Sequence, residues 1–169
     1  MSGEPMMSGG EVVALFGSFR AAGIRAWAGG GWAVDALVGR QTREHGDLDL
    51  AVDSVHLMGL LDLLDRDGFS VTVDWAPSRL ELTAADGRVV DIHPVAFGAD
   101  GSGVQTGLGG GSFHYAADGF TIGTIEGVPI PCLSVDQQLR FREGYAPRPV
   151  DVHDVALLME LARGRGQAG

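Results

Sequence analysis

Apolar positions recur along this chain in two rhythms, one of three to four residues and one of two. Val12, Leu15, Phe16 and Phe19 keep the longer rhythm behind Ser8 and Glu11, which are spaced as a capping box. They predict a first helix running to about Ala22 and stopping near Gly23. Residues 24–28 read as a short buried strand entering Gly29-Gly30-Gly31, and residues 32–38 as a second helix stopped at Gly39. Residues 47–52 alternate acidic and apolar side chains, which is strand periodicity. Asp53 or Ser54 then caps a third helix with Leu57, Leu60, Leu61 and Leu64 on its apolar face and Gly68 after its end. Three strands follow at residues 69–74, 79–84 and 88–95, the last two joined by the hairpin pair Asp86-Gly87.

Residues 97–112 hold few large apolar side chains and many glycines, so they are expected to form a long mobile loop. Such a loop serves as a lid over a site or is a tolerated insertion. A small β-ribbon is predicted near residues 119–131 with Glu126-Gly127 at its turn. Ser134 and Gln137 again have capping-box spacing and open a helix to about Arg142; Pro149 starts a last helix through Leu161. No internal repeat and no linker divides the chain. The expectation is one α+β (mixed α/β) domain over residues 11–163, a twisted mixed β-sheet flanked by helices, with flexible ends at 1–10 and 164–169. Strands and helices alternate too irregularly for a Rossmann fold.

Composition narrows the function classes. The 169 residues are 45% hydrophobic and 20% charged, within the range of a folded domain. A lone cysteine, Cys132, allows no intrachain disulfide, and there is neither a leader pattern nor an apolar run of membrane-spanning length. The expected location is the cytoplasm, with no membrane partner. A formal net charge of −10 disfavours nucleic acid. That acidity either steers a cationic substrate toward the protein or simply keeps it soluble.

The chemistry concentrates in three aspartates. Asp47 and Asp49 flank Leu48 on a predicted strand, so both side chains leave the same face, roughly 6–7 Å apart. Carboxylates that close repel unless a cation lies between them, and Mg²⁺ takes a few carboxylates together with substrate phosphates. Asp91 sits in the apolar strand Val89-Val90-Asp91-Ile92-His93, where an unpartnered carboxylate is costly. Were the two strands neighbours, the three acids would form one cluster able to hold two Mg²⁺ ions, with Asp91 able to accept a hydroxyl proton. The alternative is that Asp91 merely ends its strand beside Pro94. The Gly30-Gly31 turn between strand and helix suits close approach of phosphate. Arg43 and His45, a local reversal of charge just before the paired aspartates, either meet a triphosphate or neutralise neighbouring carboxylates.

Residues 30–43, followed by His45 and Asp47-Leu48-Asp49, resemble the small antibiotic nucleotidyltransferases. These are the lincosamide nucleotidyltransferases and aminoglycoside 2''-adenylyltransferases of the DNA polymerase β-like superfamily. The similarity continues at residues 89–93, 128–138, Gly144-Tyr145 and 151–154, and spans roughly residues 24–160. It implies a nucleotidyltransferase fold, Mg²⁺ on Asp47 and Asp49, and Asp91 as third carboxylate and general base. It also implies phosphate at Gly30 and Gly31, ATP as donor, and an AMP ester of a small-molecule hydroxyl as product. Gly29 departs from relatives that carry an acid just before the glycine pair, and residues 98–111 are the least family-like. Glu81 is the expected contact for an amino group of a cationic acceptor, aminoglycoside or lincosamide. Asp151, His153 and Asp154 are read as structural. The protein is expected to act as a monomer or homodimer. The alternative is a nucleotidyltransferase fold repurposed as a nucleotide-binding regulatory module or a specialised-metabolism enzyme.

Overall fold

The two rhythms resolve into helices and strands over residues 6–143 and 146–167, the part of the chain that the computed structural model describes. Gly144-Tyr145 of the family-like stretch and residues 1–5 and 168–169 of the expected flexible ends lie outside the described residues. Helix α1 (Gly9–Ala21) opens with the reciprocal capping box: Glu11 N–H donates to Ser8 Oγ at 3.1 Å and Ser8 N–H to the Glu11 carboxylate at 2.9 Å. Met7 is already buried, and its N–H donates to the His45 carbonyl at 2.9 Å, so packing begins before residue 11.

Strand β1 (Ala26–Gly29) runs directly into α2 (Gly30–Val38), which Gly39 ends in the left-handed region. Strand β2 (Asp47–Asp53) is followed by a 3-10 turn (Ser54–His56) that Asp53 caps, and then by α3 (Leu57–Arg66). Strands β3 (Phe69–Trp75), β4 (Arg79–Ala84) and β5 (Val89–Phe97) come next, with the Asp86-Gly87 turn closed by Ala84 N–H on the Arg88 carbonyl. The ribbon is β8 (Phe120–Ile125) and β9 (Val128–Leu133), ahead of α4 (Val135–Phe141) and α5 (Pro149–Gln167). The last helix therefore runs past Leu161 and through residue 164, where a flexible end was expected.

Two further expectations are corrected. Residues 97–112 are not a loop: β6 (Gly103–Thr106) pairs with the end of β5 and with β7 (Ser112–Tyr115), making a hairpin whose tip is residues 107–111. Backbone ladders need no large side chains, and the hairpin is anchored at its root by buried Gln105 and Tyr115, so composition alone misleads here. The second capping box is only half made. Ser134 Oγ accepts from Gln137 N–H at 3.2 Å, but the Gln137 amide turns away to Ala116 N–H and the His114 carbonyl, fastening β7 to α4.

The main sheet runs β3-β4-β5-β2-β1-β9-β8; β2–β5 and β1–β9 are parallel and the other neighbours antiparallel. Leu48, Leu50, Val90, Ile92, Leu80 and Leu82 point from one face into a core completed by α1, α2 and α3. The strand alternation sends their neighbours to the other face, where a smaller cluster of Ala51, Val95, Tyr115 and Leu133 borders a polar floor. A third cluster, Val34, Val135 and Leu158, locks α2, α4 and α5 together.

Candidate active site

One rung crosses four strands of the sheet. Gly29 pairs with Asp49, Asp49 with Asp91, and Asp91 with Glu81. Partners in register share a face, so the parallel β2–β5 pairing sets Asp49 and Asp91 side by side, away from the helical core. Asp47 lies one step along the same face, opposite Val89. The far-side placement of Asp91 that would have separated the acids does not occur.

Ligand atoms of Asp49, Asp91 and His93 lie within 4.8 Å of one another. Asp47 is outside this tightest group because two residues of extended chain displace it by roughly 6–7 Å. It is nevertheless part of the same field: burial, then the charges of Asp49 and Asp91, push its pKa up to about 6, while His45 and Arg43 pull it down. Burial alone would depress His93, but the carboxylates of Asp49 and Asp91 outweigh it and raise its pKa to about 9. Asp91 Oδ1 is buried with no hydrogen-bond donor; Arg79 Nε, equally unpaired, faces it at 3.4 Å. Three crowded acids, one with a stranded buried oxygen, have the donor chemistry of a divalent-cation site, and the residues fit Mg²⁺.

The glycine bend abuts these acids. Gly30 has φ +55°, and a Cβ there would overlap Asp49 Oδ2, so only glycine lets α2 start against the carboxylate. Gly31 is closed off differently: a Cβ would overlap Arg43 Nη2 and the His45 ring. Arg43 and His45 thus reach the start of α2, but both are engaged internally. Arg43 grips Asp154 through two bonds of 3.1 and 3.0 Å, which hold its pKa above the usual value. His45 Nε2 meets Asp35 Oδ2 at 2.6 Å beneath the Trp32 ring. Burial would raise Asp35, but hydrogen bonds from His45 and Thr42 hold its pKa below the ordinary carboxylate range. Thr42 spends its proton on Asp35, so His153 Nε2 donates to Thr42 Oγ1 at 2.9 Å. Asp154 and His153 therefore tie α5 to the segment after α2, the structural part read for them in the sequence.

Above the floor lies a cavity of about 490 Å³. Gly29, Gly30, Asp49 and His93 form its base; Leu108, Phe113, Tyr115, Leu133 and Phe141 form an apolar wall supplied by the β6–β7 hairpin, β9 and α4. Arg79, Arg142 and Arg148 also line it, each paired with an acid: Glu81, Asp154 and Asp151. Glu81 reaches toward this face but is paired with Arg79 at 2.6 Å, and Arg79 stacks over Trp75 at 5.0 Å. Sequence reasoning missed His93 and Arg79. His93 was findable, since it follows Asp91 at the spacing that links Asp47 to Asp49. Gln105 and Tyr115, which support His93, carried no such signal because they come from a hairpin not foreseen.

A family model described as aminoglycoside-2''-adenylyltransferase matches residues 11–158. The chain is similar to a lincosamide resistance protein of Staphylococcus haemolyticus, with 36% identity over 135 residues, 80% of this chain and 84% of that protein. It also resembles a 2''-aminoglycoside nucleotidyltransferase of Klebsiella pneumoniae, 34% identical over 110 residues, 64% of this chain and 57% of that one. Among solved structures, the lincosamide antibiotic adenylyltransferase LnuA, with lincomycin bound, superposes with a TM-score of 0.83 and 33% identity, covering 92% of this chain and 99% of LnuA.

Proposed function

Because the chain belongs to the aminoglycoside-2''-adenylyltransferase family, we propose that it transfers AMP from ATP to a hydroxyl of a lincosamide-like antibiotic. The observation that carries this reading is the shared rung of Asp49 and Asp91, with Asp47 beside it and the glycine bend against Asp49. Asp47, Asp49 and Asp91 would hold Mg²⁺, and two ions so placed supply charge neutralisation at the attacking and leaving oxygens.

Asp91 accepts the proton of the acceptor hydroxyl. The freed oxygen forms a bond to the α-phosphorus, and the bond to the β-phosphate oxygen breaks, releasing pyrophosphate with its electron pair. The donor phosphates would meet the N–H groups that open α2 at Gly30 and Gly31. Arg43, oriented by Asp154, keeps positive charge at that bend, and His45, braced by Asp35, packs against Gly31.

The cavity wall supports an amphipathic acceptor. Aromatic and aliphatic side chains face an apolar body, while the lining arginines are each paired with an acid and leave no net positive charge to select the acceptor. Glu81 would meet an acceptor amine only by releasing Arg79. The test is incubation with Mg-ATP and a panel of lincosamides and aminoglycosides, reading AMP addition by mass. Adenylylated lincosamide is expected. Product with aminoglycosides alone would sink the acceptor assignment, and no AMP product with any acceptor would sink the transferase reading.

A further inference from the structure

The buried network behind the metal face makes one residue's part specific. Gln105, 6% exposed, reaches from β6 to three partners. Its Nε2 donates to the Ser78 carbonyl at 3.0 Å and to His93 Nδ1 at 3.0 Å, and its Oε1 accepts from the Tyr115 hydroxyl at 2.7 Å. The Ser78 carbonyl can only accept, so turning the amide over would set two oxygens against each other in a buried site. The amide orientation is thereby determined, and His93 Nδ1 faces a donor.

That arrangement is the opposite of a metal-binding histidine. A ligating imidazole offers a bare nitrogen to the metal and donates its other N–H to a carboxylate, carbonyl or water. Here the nitrogen remote from the acids faces a donor, so the neutral ring carries its proton on Nε2, and the cation that the two acids favour carries one there as well; Nε2 lies 3.6 Å from Asp91 Oδ2 and 4.0 Å from Asp49 Oδ1. Proximity alone groups His93 with the two acids, and the hydrogen bonding behind it separates them.

We infer that His93 is a positioning residue: Gln105, held by Ser78 and Tyr115, keeps its Nε2–H turned toward Asp49 and Asp91, so that it steadies these carboxylates as a donor and stays outside the metal's coordination shell. The inference rests on the reading that Asp47, Asp49 and Asp91 hold the divalent ion. It assigns parts to Ser78, Gln105 and Tyr115, which act through His93. A glutamate at position 105 would accept a hydrogen bond from Nδ1–H, favour the tautomer whose Nε2 is bare and so convert the ring into a ligand.

The test uses the full chain loaded with Mn²⁺ and electron spin-echo measurement of nitrogen coupling to the metal. The wild type is expected to show no directly bound nitrogen, and Gln105→Glu to acquire one. A second measurement does not depend on that variant folding. Long-range proton–nitrogen correlation spectra of the wild type should show the His93 proton on Nε2 before and after saturation with Mg²⁺. Directly bound nitrogen in the wild type that disappears in His93→Gln, or loss of the Nε2 proton on adding Mg²⁺, overturns the inference. So does a folded Gln105→Glu protein that binds Mn²⁺ without gaining the coupling. Failure to bind Mn²⁺ at all removes the metal site and the inference with it. Mn²⁺ bound without AMP transfer counts against the proposed function only.

Discussion

At the scale of single residues, Asp91 and Asp47 differ in ways their shared chemistry hides. Asp91 is buried, with one oxygen lacking a donor, whereas Asp47 is the most exposed of the trio, even though surrounding atoms strip its carboxylate of part of its hydration and the charges of Asp49 and Asp91 act on it. In the proposed reaction Asp91→Asn removes the proton acceptor and a metal ligand together. Single-turnover AMP transfer is expected to fall by at least about 10²–10⁴-fold, with the far-ultraviolet circular dichroism spectrum unchanged. Asp47 carries a pH signature. Its folded pKa of about 6 lies above the ordinary value of 3.8, so between these values the folded protein binds more protons than the unfolded chain. The stabilising contribution is full below the unfolded value and is lost as pH rises through about 6. Metal-free protein should therefore lose melting temperature across that window relative to Asp47→Asn. A parallel pH dependence in the two proteins would exclude Asp47 as the source.

At the scale of elements, the site depends on a strand passing into a helix with no spacer. Gly30 takes a left-handed φ while Asp49 occupies the space where a side chain would stand. Gly30→Ala should cost roughly 1–2 kcal/mol from the backbone alone, plus whatever displaces Asp49. The check is the denaturation midpoint together with Mn²⁺ affinity; both should drop, and unchanged affinity would show that the bend does not position Asp49. Elements also explain where Arg43 and His45 went. Their proximity to the acids was legible from spacing. Their partners, Asp154 and Asp35, were not, because Asp154 arrives from α5 and the His45–Asp35 contact needs the segment after α2 to fold back. Most boundaries were readable because caps and turns act over three or four residues. The exceptions have different causes: the β6–β7 hairpin pairs locally but carries few of the large side chains that mark a strand, whereas the Gln137 amide is held by Ala116 and His114, 21 and 23 residues away.

At the scale of the whole molecule, the sheet separates packing from chemistry: α1, α2 and α3 cover one face, and the acids stand on the other beneath the cavity. The cluster of acids opposes folding until a cation joins it, so ligand should stabilise the whole fold. Mg-ATP at about 100 times its dissociation constant should add ~2.7 kcal/mol of stability, read as a rise in melting temperature. Asp49→Asn should abolish most of that rise, and a full rise in the variant would place nucleotide binding elsewhere. No helix among the described residues is long and apolar enough to cross a membrane.

Periodicity and local turn chemistry, which act within a few residues, were enough to specify nearly every helix and strand, and the resemblance at residues 30–49 and 89–93 named the family before any coordinates. Alternation along β2 and β5 also determined which side chains share a face within each strand. Whether the two faces coincide is a matter of register between strands some forty residues apart, and only the parallel pairing of Asp49 with Asp91 decided it. The tertiary structure likewise decided that His93 joins the acids and that Arg43 and His45 are tied to Asp154 and Asp35. Contacts between distant segments are settled by the packing of the whole chain, and no short window of sequence contains them.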